Sequence, residues 1–254
     1  QGTLIANVCR ASRKDFRNAV QYARNAVNGW NGKTAYNRGQ ILYRIAETME
    51  YRKKQFTQEL ILLGLTKKEA DAEVNGSIDR IVYYAGWADK YQQIFSSVNP
   101  VSSSHFNFSI PEYQGVIAII APGNSPLCGI ISVIIPAIVG GNTVVALASG
   151  RYPLTAISFA EVLETSDVPN GVINILTGYE KELHEHFASH MDVNGIIYCG
   201  DDTTITQSIQ KNASYNVKRV KIYKSVKWLN TKNQSPYFIL DNSEIKTTWH
   251  PIGK

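Results

Sequence analysis

Gly115-Val-Ile-Ala-Ile-Ile-Ala-Pro-Gly-Asn-Ser-Pro126 opens on an uninterrupted apolar run and closes on a turn rich in proline and glycine. A short apolar run bounded by turn residues reads as a strand buried on both faces. The apolar segment 126–139 that follows is long enough for a helix, and Thr143-Val-Val-Ala-Leu147 is a second buried strand. The alternation continues. Pro153 takes a first-turn position and opens a helix through Leu163. Then come a strand at 172–176, a helix at 180–189, a strand at 195–199, a helix at 203–211 and a strand at 217–222. Apolar strands alternating with helices imply an α/β fold with a doubly wound parallel sheet. Ligands of such sheets bind at the carboxyl ends of the strands, so function is expected after Ile120, Leu147, Leu176 and Cys199.

Upstream, residues 1–95 read as helices. Ser12-Arg-Lys-Asp15 has capping-box spacing ahead of Phe16, Val20, Ala23 and Val27 at helical period. A second helical stretch carries Leu42, Ile45, Met49, Phe56, Leu60 and Leu63, and Gly64 suits a break. Thr66-Lys-Lys-Glu69 then opens a third helix running towards Lys90. Residues 96–114 differ: Val98-Asn-Pro-Val101, a serine-rich turn at 102–104 and Phe106-Asn-Phe108-Ser-Ile110 predict a β-hairpin whose strands need a partner. The expected units are therefore helices at 1–95, a hairpin at 96–114 and the α/β domain at 115–254.

A chain of 254 residues suits one α/β domain with a smaller appendage. Hydrophobic content of 44% with 19% charged residues is ordinary for a globular protein. No apolar run approaches the ~18 residues of a membrane span. The start, Gln1-Gly-Thr-Leu-Ile5, lacks the basic and apolar regions of a signal peptide. Cys9, Cys128 and Cys199 show no paired spacing, which favours reduced thiols and a cytoplasmic setting. The net charge is +5, densest at Lys218, Arg219, Lys221, Lys224 and Lys227 among Tyr215, Tyr223 and Trp228. With Val217, Val220 and Ile222 alternating there, a strand with one solvated face explains the stretch better than nucleic-acid binding.

The four segments at the strand ends resemble aldehyde dehydrogenases. Ala121-Pro-Gly-Asn-Ser-Pro126 is similar to the family's Pro-Trp-Asn-Phe-Pro turn. Pro136-Ala-Ile-Val-Gly-Gly-Asn-Thr143 is similar to its Pro-Ala-Leu-Ala-x-Gly-Asn-Thr. Pro153-Leu-Thr-Ala, Val168-Pro-Asn-Gly-Val-Ile-Asn-Ile-Leu-Thr-Gly178 and Ala188-Ser-His-x-Asp-Val193 continue the match. The early helices and the hairpin also sit where the family has them. Gly29-Trp-Asn-Gly32 leans towards the family-16 type. The resemblance implies a Rossmann-like domain with Ile120, Pro122, Gly178 and Gly200 on the cofactor side. It places Asn124 at an oxyanion-hole amide.

Departures from the family pattern lie in the same segments. Where the family has Lys and Glu on the adenosine ribose, this chain has Leu147 and Gly150, with no side-chain donor and no acceptor. Two helix glycines that let adenine and pyrophosphate approach become Glu180 and His184. A Ser facing phosphate becomes Asp201. Each lost hydrogen bond is worth about 1 kcal/mol. Each like-charge contact at ~4 Å adds about 1 kcal/mol in water and more where water is excluded. Dinucleotide binding is then weakened by orders of magnitude, and no cofactor is expected.

The family's general-base Glu falls on Tyr223 or on Asn230, depending on where an insertion lies, and neither is a carboxylate. The chain ends at Lys254, before the family's catalytic half, so the resemblance implies that the nucleophilic cysteine lies outside it. Asn124 alone survives of the catalytic groups. Of the remaining thiols Cys128 is the better-placed, at a helix start that lowers a thiol pKa, although a structural role is expected for both it and Cys199. His184, His186 and His190 show no metal spacing, and no metal is expected. The expected function is that of a truncated, inactive aldehyde-dehydrogenase-like protein. Its partners would be a second copy or a full-length relative, without membrane. The alternative is an NAD(P)-binding half of a dehydrogenase completed by another chain.

Overall fold

The computed structural model describes residues 4–253; Gln1–Thr3 and Lys254, at the ends of the first and last expected units, lie outside them, as does most of the Gln1–Ile5 start in which no signal-peptide pattern was read. α1 (Arg13–Asn31) starts on the expected capping box: the Asp15 carboxylate accepts from Ser12 N at 2.8 Å and from Ser12 Oγ at 2.7 Å. Its apolar stripe, Phe16, Ala19, Val20, Ala23, Val27 and Trp30, is buried. The second helical stretch divides at Arg52 into α2 (Ala35–Tyr51) and α3 (Lys53–Leu62), and Gly64 turns the chain at φ +97°.

α4 (Lys67–Ala85) begins on the Thr66–Glu69 box but stops before the expected Lys90. Trp87 N and Ala88 N bond back only three residues, to Tyr84 O and Ala85 O, so the helix tightens and unwinds. A short α5 (Tyr91–Phe95) leads into the hairpin β1 (Ser97–Asn99) and β2 (His105–Tyr113), paired antiparallel as expected.

From Gly115, held at φ +131°, the chain enters the main sheet. Its elements are β3 (Val116–Ile120), α6 (Cys128–Val139), β4 (Thr143–Leu147), α7 (Pro153–Glu164) and β5 (Ile173–Leu176). After them follow α8 (Glu180–Ser189), β6 (Gly195–Tyr198), α9 (Thr203–Ala213) and β7 (Arg219–Ile222). The strands are parallel in the order β5-β4-β3-β6-β7, so the winding direction reverses between β3 and β6. Period-2 alternation divides the core. Ile117, Ile119, Val144 and Ala146 pack on α6 and α7 with α2–α4 outside, while Val116, Ala118, Ile120, Val145 and Leu147 pack on α1, α8 and α9. The last strand starts later than Val217 because that residue sits left-handed at φ 53°, a strained position for a β-branched side chain.

The chain's end departs from the expected 115–254 unit. After α10 (Tyr237–Leu240), β8 (Ser243–Pro251) leaves the α/β domain and pairs antiparallel with the whole of β2, from His105↔Pro251 to Tyr113↔Ser243. The hairpin thus receives its partner from within the chain, and a three-stranded sheet β1-β2-β8 forms.

Candidate functional site

The carboxyl ends of β3, β4 and β6 open into a cleft of about 410 Å³ at the winding reversal. Ile120, Leu147, Gly150, Glu180, Gly200 and Asp201, six of the residues singled out in the sequence, all line it. Pro122 and Gly178 stand outside the lining: the Pro122 ring lies against Gly129, and Gly178 backs onto Ala11. His184 turns away, its Nδ1 3.1 Å from Glu180 O.

The cleft's chemistry is set by carboxylates at helix starts. Glu180 is the first residue of α8, and its Oε1 is buried without a hydrogen-bond partner among the described residues. Asp202 caps α9, accepting from Thr204 N at 2.8 Å and Ile205 N at 3.2 Å. At the α9 start, the N–H groups of Thr204 and Ile205 that could receive a phosphate are therefore already taken. Asp201 ties the cleft rim to the next segment, accepting from Ser225 N at 2.8 Å and Ser225 Oγ at 3.1 Å. Arg151 and Lys181 supply positive charge at the rim. The Tyr198 hydroxyl overhangs Gly200 so closely that any Cβ there would collide with it. Burial, reinforced by Glu180, raises the Tyr198 phenol above its ordinary range, so it stays neutral.

The family's cofactor does not fit these residues. Leu147, 1% exposed, offers the ribose no donor, Gly150 no acceptor, and the orphan Glu180 oxygen repels a phosphate. Tyr198, Arg151, Lys181 and Asp202 were not anticipated as cleft residues. Asp202-Thr-Thr-Ile carried an N-cap signal; Tyr198 carried none, being one more apolar-strand residue.

Asn124 is exposed, and its Nδ2 donates to Val226 O at 3.2 Å, outside the cleft lining. Tyr223, one of the two general-base positions, is buried and donates its hydroxyl to Asp241 Oδ2 at 2.6 Å. Asn230, the other, accepts from Lys232 N at 2.9 Å and caps a turn.

Cys128, for which a structural role was expected despite its place at a helix start, is buried. Burial pushes its thiol up to about 11, and the neighbouring N–H groups of Leu127 and Cys128 point at the Glu73 carboxylate, at 3.2 and 2.9 Å. Cys199 is likewise buried and raised. Among the described residues no three His, Cys, Asp or Glu side chains gather as a metal site. No helix there is long and apolar enough to cross a membrane.

A family model described as the aldehyde dehydrogenase family matches residues 1–242. Aldehyde dehydrogenase, cytosolic 1 of Elephantulus edwardii is 33% identical over 225 residues, which cover 86% of this chain and 44% of that protein. The D-glyceraldehyde dehydrogenase (NADP(+)) of Thermoplasma acidophilum matches at 33% over the same lengths. The crystal structure of PnpE from Pseudomonas sp. WBC-3 superposes with a TM-score of 0.82 at 29% identity, covering 87% of this chain and 45% of that one. PnpE in complex with nicotinamide adenine dinucleotide superposes equally well. The chain spans about half the length of the curated relatives it matches. By sequence over nearly its whole length and by fold, this chain belongs to the aldehyde dehydrogenase family.

Proposed function

We propose that these 254 residues act as a non-catalytic, aldehyde-dehydrogenase-like unit that works by association rather than by oxidising an aldehyde. The cleft carries this reading: an aliphatic side chain and a glycine stand where the resemblance places the ribose contacts, and Glu180, with its Oε1 buried and unpaired among the described residues, adds negative charge to the lining. The buried, raised thiols of Cys128 and Cys199 support it, since a thiol nucleophile acts as the thiolate. The partner is a second copy or a full-length relative. The small sheet favours this, exposing Val98, Phe106, Ile245 and Trp249 in one three-stranded unit. Three unpaired cysteines favour a reducing, cytoplasmic compartment.

Nucleic acid is disfavoured as a partner. Lys218 is buried among carbonyls, Arg219 is paired with Glu244 and Lys221 with Asp241, so three of the five cations of the basic stretch are engaged within the chain.

The test is calorimetric titration with NAD and with NADP up to millimolar concentration, for which we expect no saturable heat. A dissociation constant in the ~10 μM range or tighter overturns the reading. It would favour the second one, an NAD(P)-binding half completed by another chain. The retained strand order and the likeness to the NAD complex of PnpE speak for that alternative.

A further inference from the structure

α1 and the end of α8 enclose another cavity of about 210 Å³, lined by Arg13, Phe16, Arg17, His186, Ser189 and His190. It shares no residue with the cleft at the strand ends, and it lies at the opposite end of α8 from Glu180. Its floor is aromatic: the Phe16 ring stacks on Phe187 at 4.1 Å and meets the His190 ring edge-on at 5.7 Å. Arg13 and Arg17 stand one helical turn apart on α1, and His186 and His190 one turn apart at the end of α8, so paired cations and imidazoles converge from two elements.

The arginines are free to take a ligand. Of ten in the chain, seven donate to a protein acceptor among the described residues, leaving Arg13, Arg17 and Arg151. Two of those three share this cavity. The surrounding field is positive as well. Burial holds the His190 imidazole below its ordinary range; Lys218, Arg17 and Arg24 push the same way, and Asp192 opposes them. The carboxylates on the two helices nearest the cavity are otherwise engaged or outside: Asp15 holds Ser12, Glu182 holds Arg10, and Glu185 is exposed and absent from the lining.

We propose that this cavity binds a small phosphate-bearing anion. Guanidinium groups match phosphate oxygens in geometry and charge. Ser189 and the imidazoles add neutral donors. A cavity below the ~300 Å³ of drug-sized sites suits a small monoester or free phosphate.

The experiment is a titration of the full chain with inorganic phosphate, glycerol phosphate and sulfate at matched ionic strength, followed through the histidine ring resonances. We expect the His186 and His190 signals to shift saturably while those of His105 and His250 stay still. Arg17→Ala weakens binding about tenfold, and Lys68→Ala, on a remote surface, leaves it unchanged. Tighter binding of glycerol phosphate than of phosphate identifies a monoester as ligand; equal binding identifies free phosphate. Sulfate keeps its charge across neutrality and binds more tightly as pH falls below the ordinary imidazole value of 6.5, because the bound anion favours the His190 imidazolium. A linear response no different from chloride overturns the site. So does an unchanged affinity in an Arg17→Ala protein whose circular dichroism is unchanged.

Discussion

Glu73 joins the N-terminal helices to the α/β domain through one carboxylate. It sits mid-way along α4, 4% exposed, and accepts from Ser125 Oγ at 2.9 Å, Leu127 N at 3.2 Å and Cys128 N at 2.9 Å, so it caps α6 from another element. Glu73→Ala leaves those donors buried and unpaired, and we expect a loss of about 2–3 kcal/mol in urea unfolding. Burial raises the Glu73 pKa above the ordinary 4.5. The folded state then holds the proton over a window where the unfolded chain has released it, so the wild-type advantage is greatest below that value and shrinks as pH rises. Lys218 titrates with the opposite consequence. Its ammonium donates to Val193 O at 2.7 Å and His190 O at 2.8 Å, yet burial lowers its pKa to about 8. Between about 8 and the ordinary 10.5 the unfolded state binds the extra proton, so stability rises with pH there, and Lys218→Met abolishes that rise. Thiol accessibility gives a third check. Ellman's reagent should modify only the exposed Cys9 in the folded chain and reach Cys128 and Cys199 after denaturation.

At the scale of elements, β8 decides what the hairpin can do. Its pairing with β2 satisfies one edge of that strand, and Lys246–Glu112 reinforces the register across the ladder. Arg219–Glu244 and Lys221–Asp241 anchor the strand's approach to β7. Deleting residues 243–253 uncovers the β2 edge with its Phe106 and Phe108 side chains. We expect the deletion to self-associate at lower concentration than the intact chain in sedimentation velocity. An unchanged sedimentation profile would show that the β2 edge is not a pairing surface.

For the molecule as a whole, the fold and the proposed loss of cofactor contacts are separable, because the sheet is held by its two apolar faces and not by the cleft. Leu147→Lys, Gly150→Glu and Glu180→Gly combined should therefore fold and raise NAD affinity at least about tenfold by calorimetry. A folded triple variant without added affinity would place the defect elsewhere in the cleft. Much of this was legible in the chain itself. The order of strands and helices, both capping boxes and the hairpin are local: they follow from apolar period, cap spacing and turn residues a few positions apart. What the sequence left open depends on partners far along the chain. The carboxylate that caps α6 comes from Glu73, and the strand that completes the hairpin comes from residues 243–251. The phenol over Gly200 comes from an apolar strand residue, and the fate of the Cys128 thiol turned on burial outweighing the helix start. Hydrophobic period specifies which face is buried, but not which distant polar group will meet it; only the packed chain fixes those distances, and with them the desolvation that sets each charge.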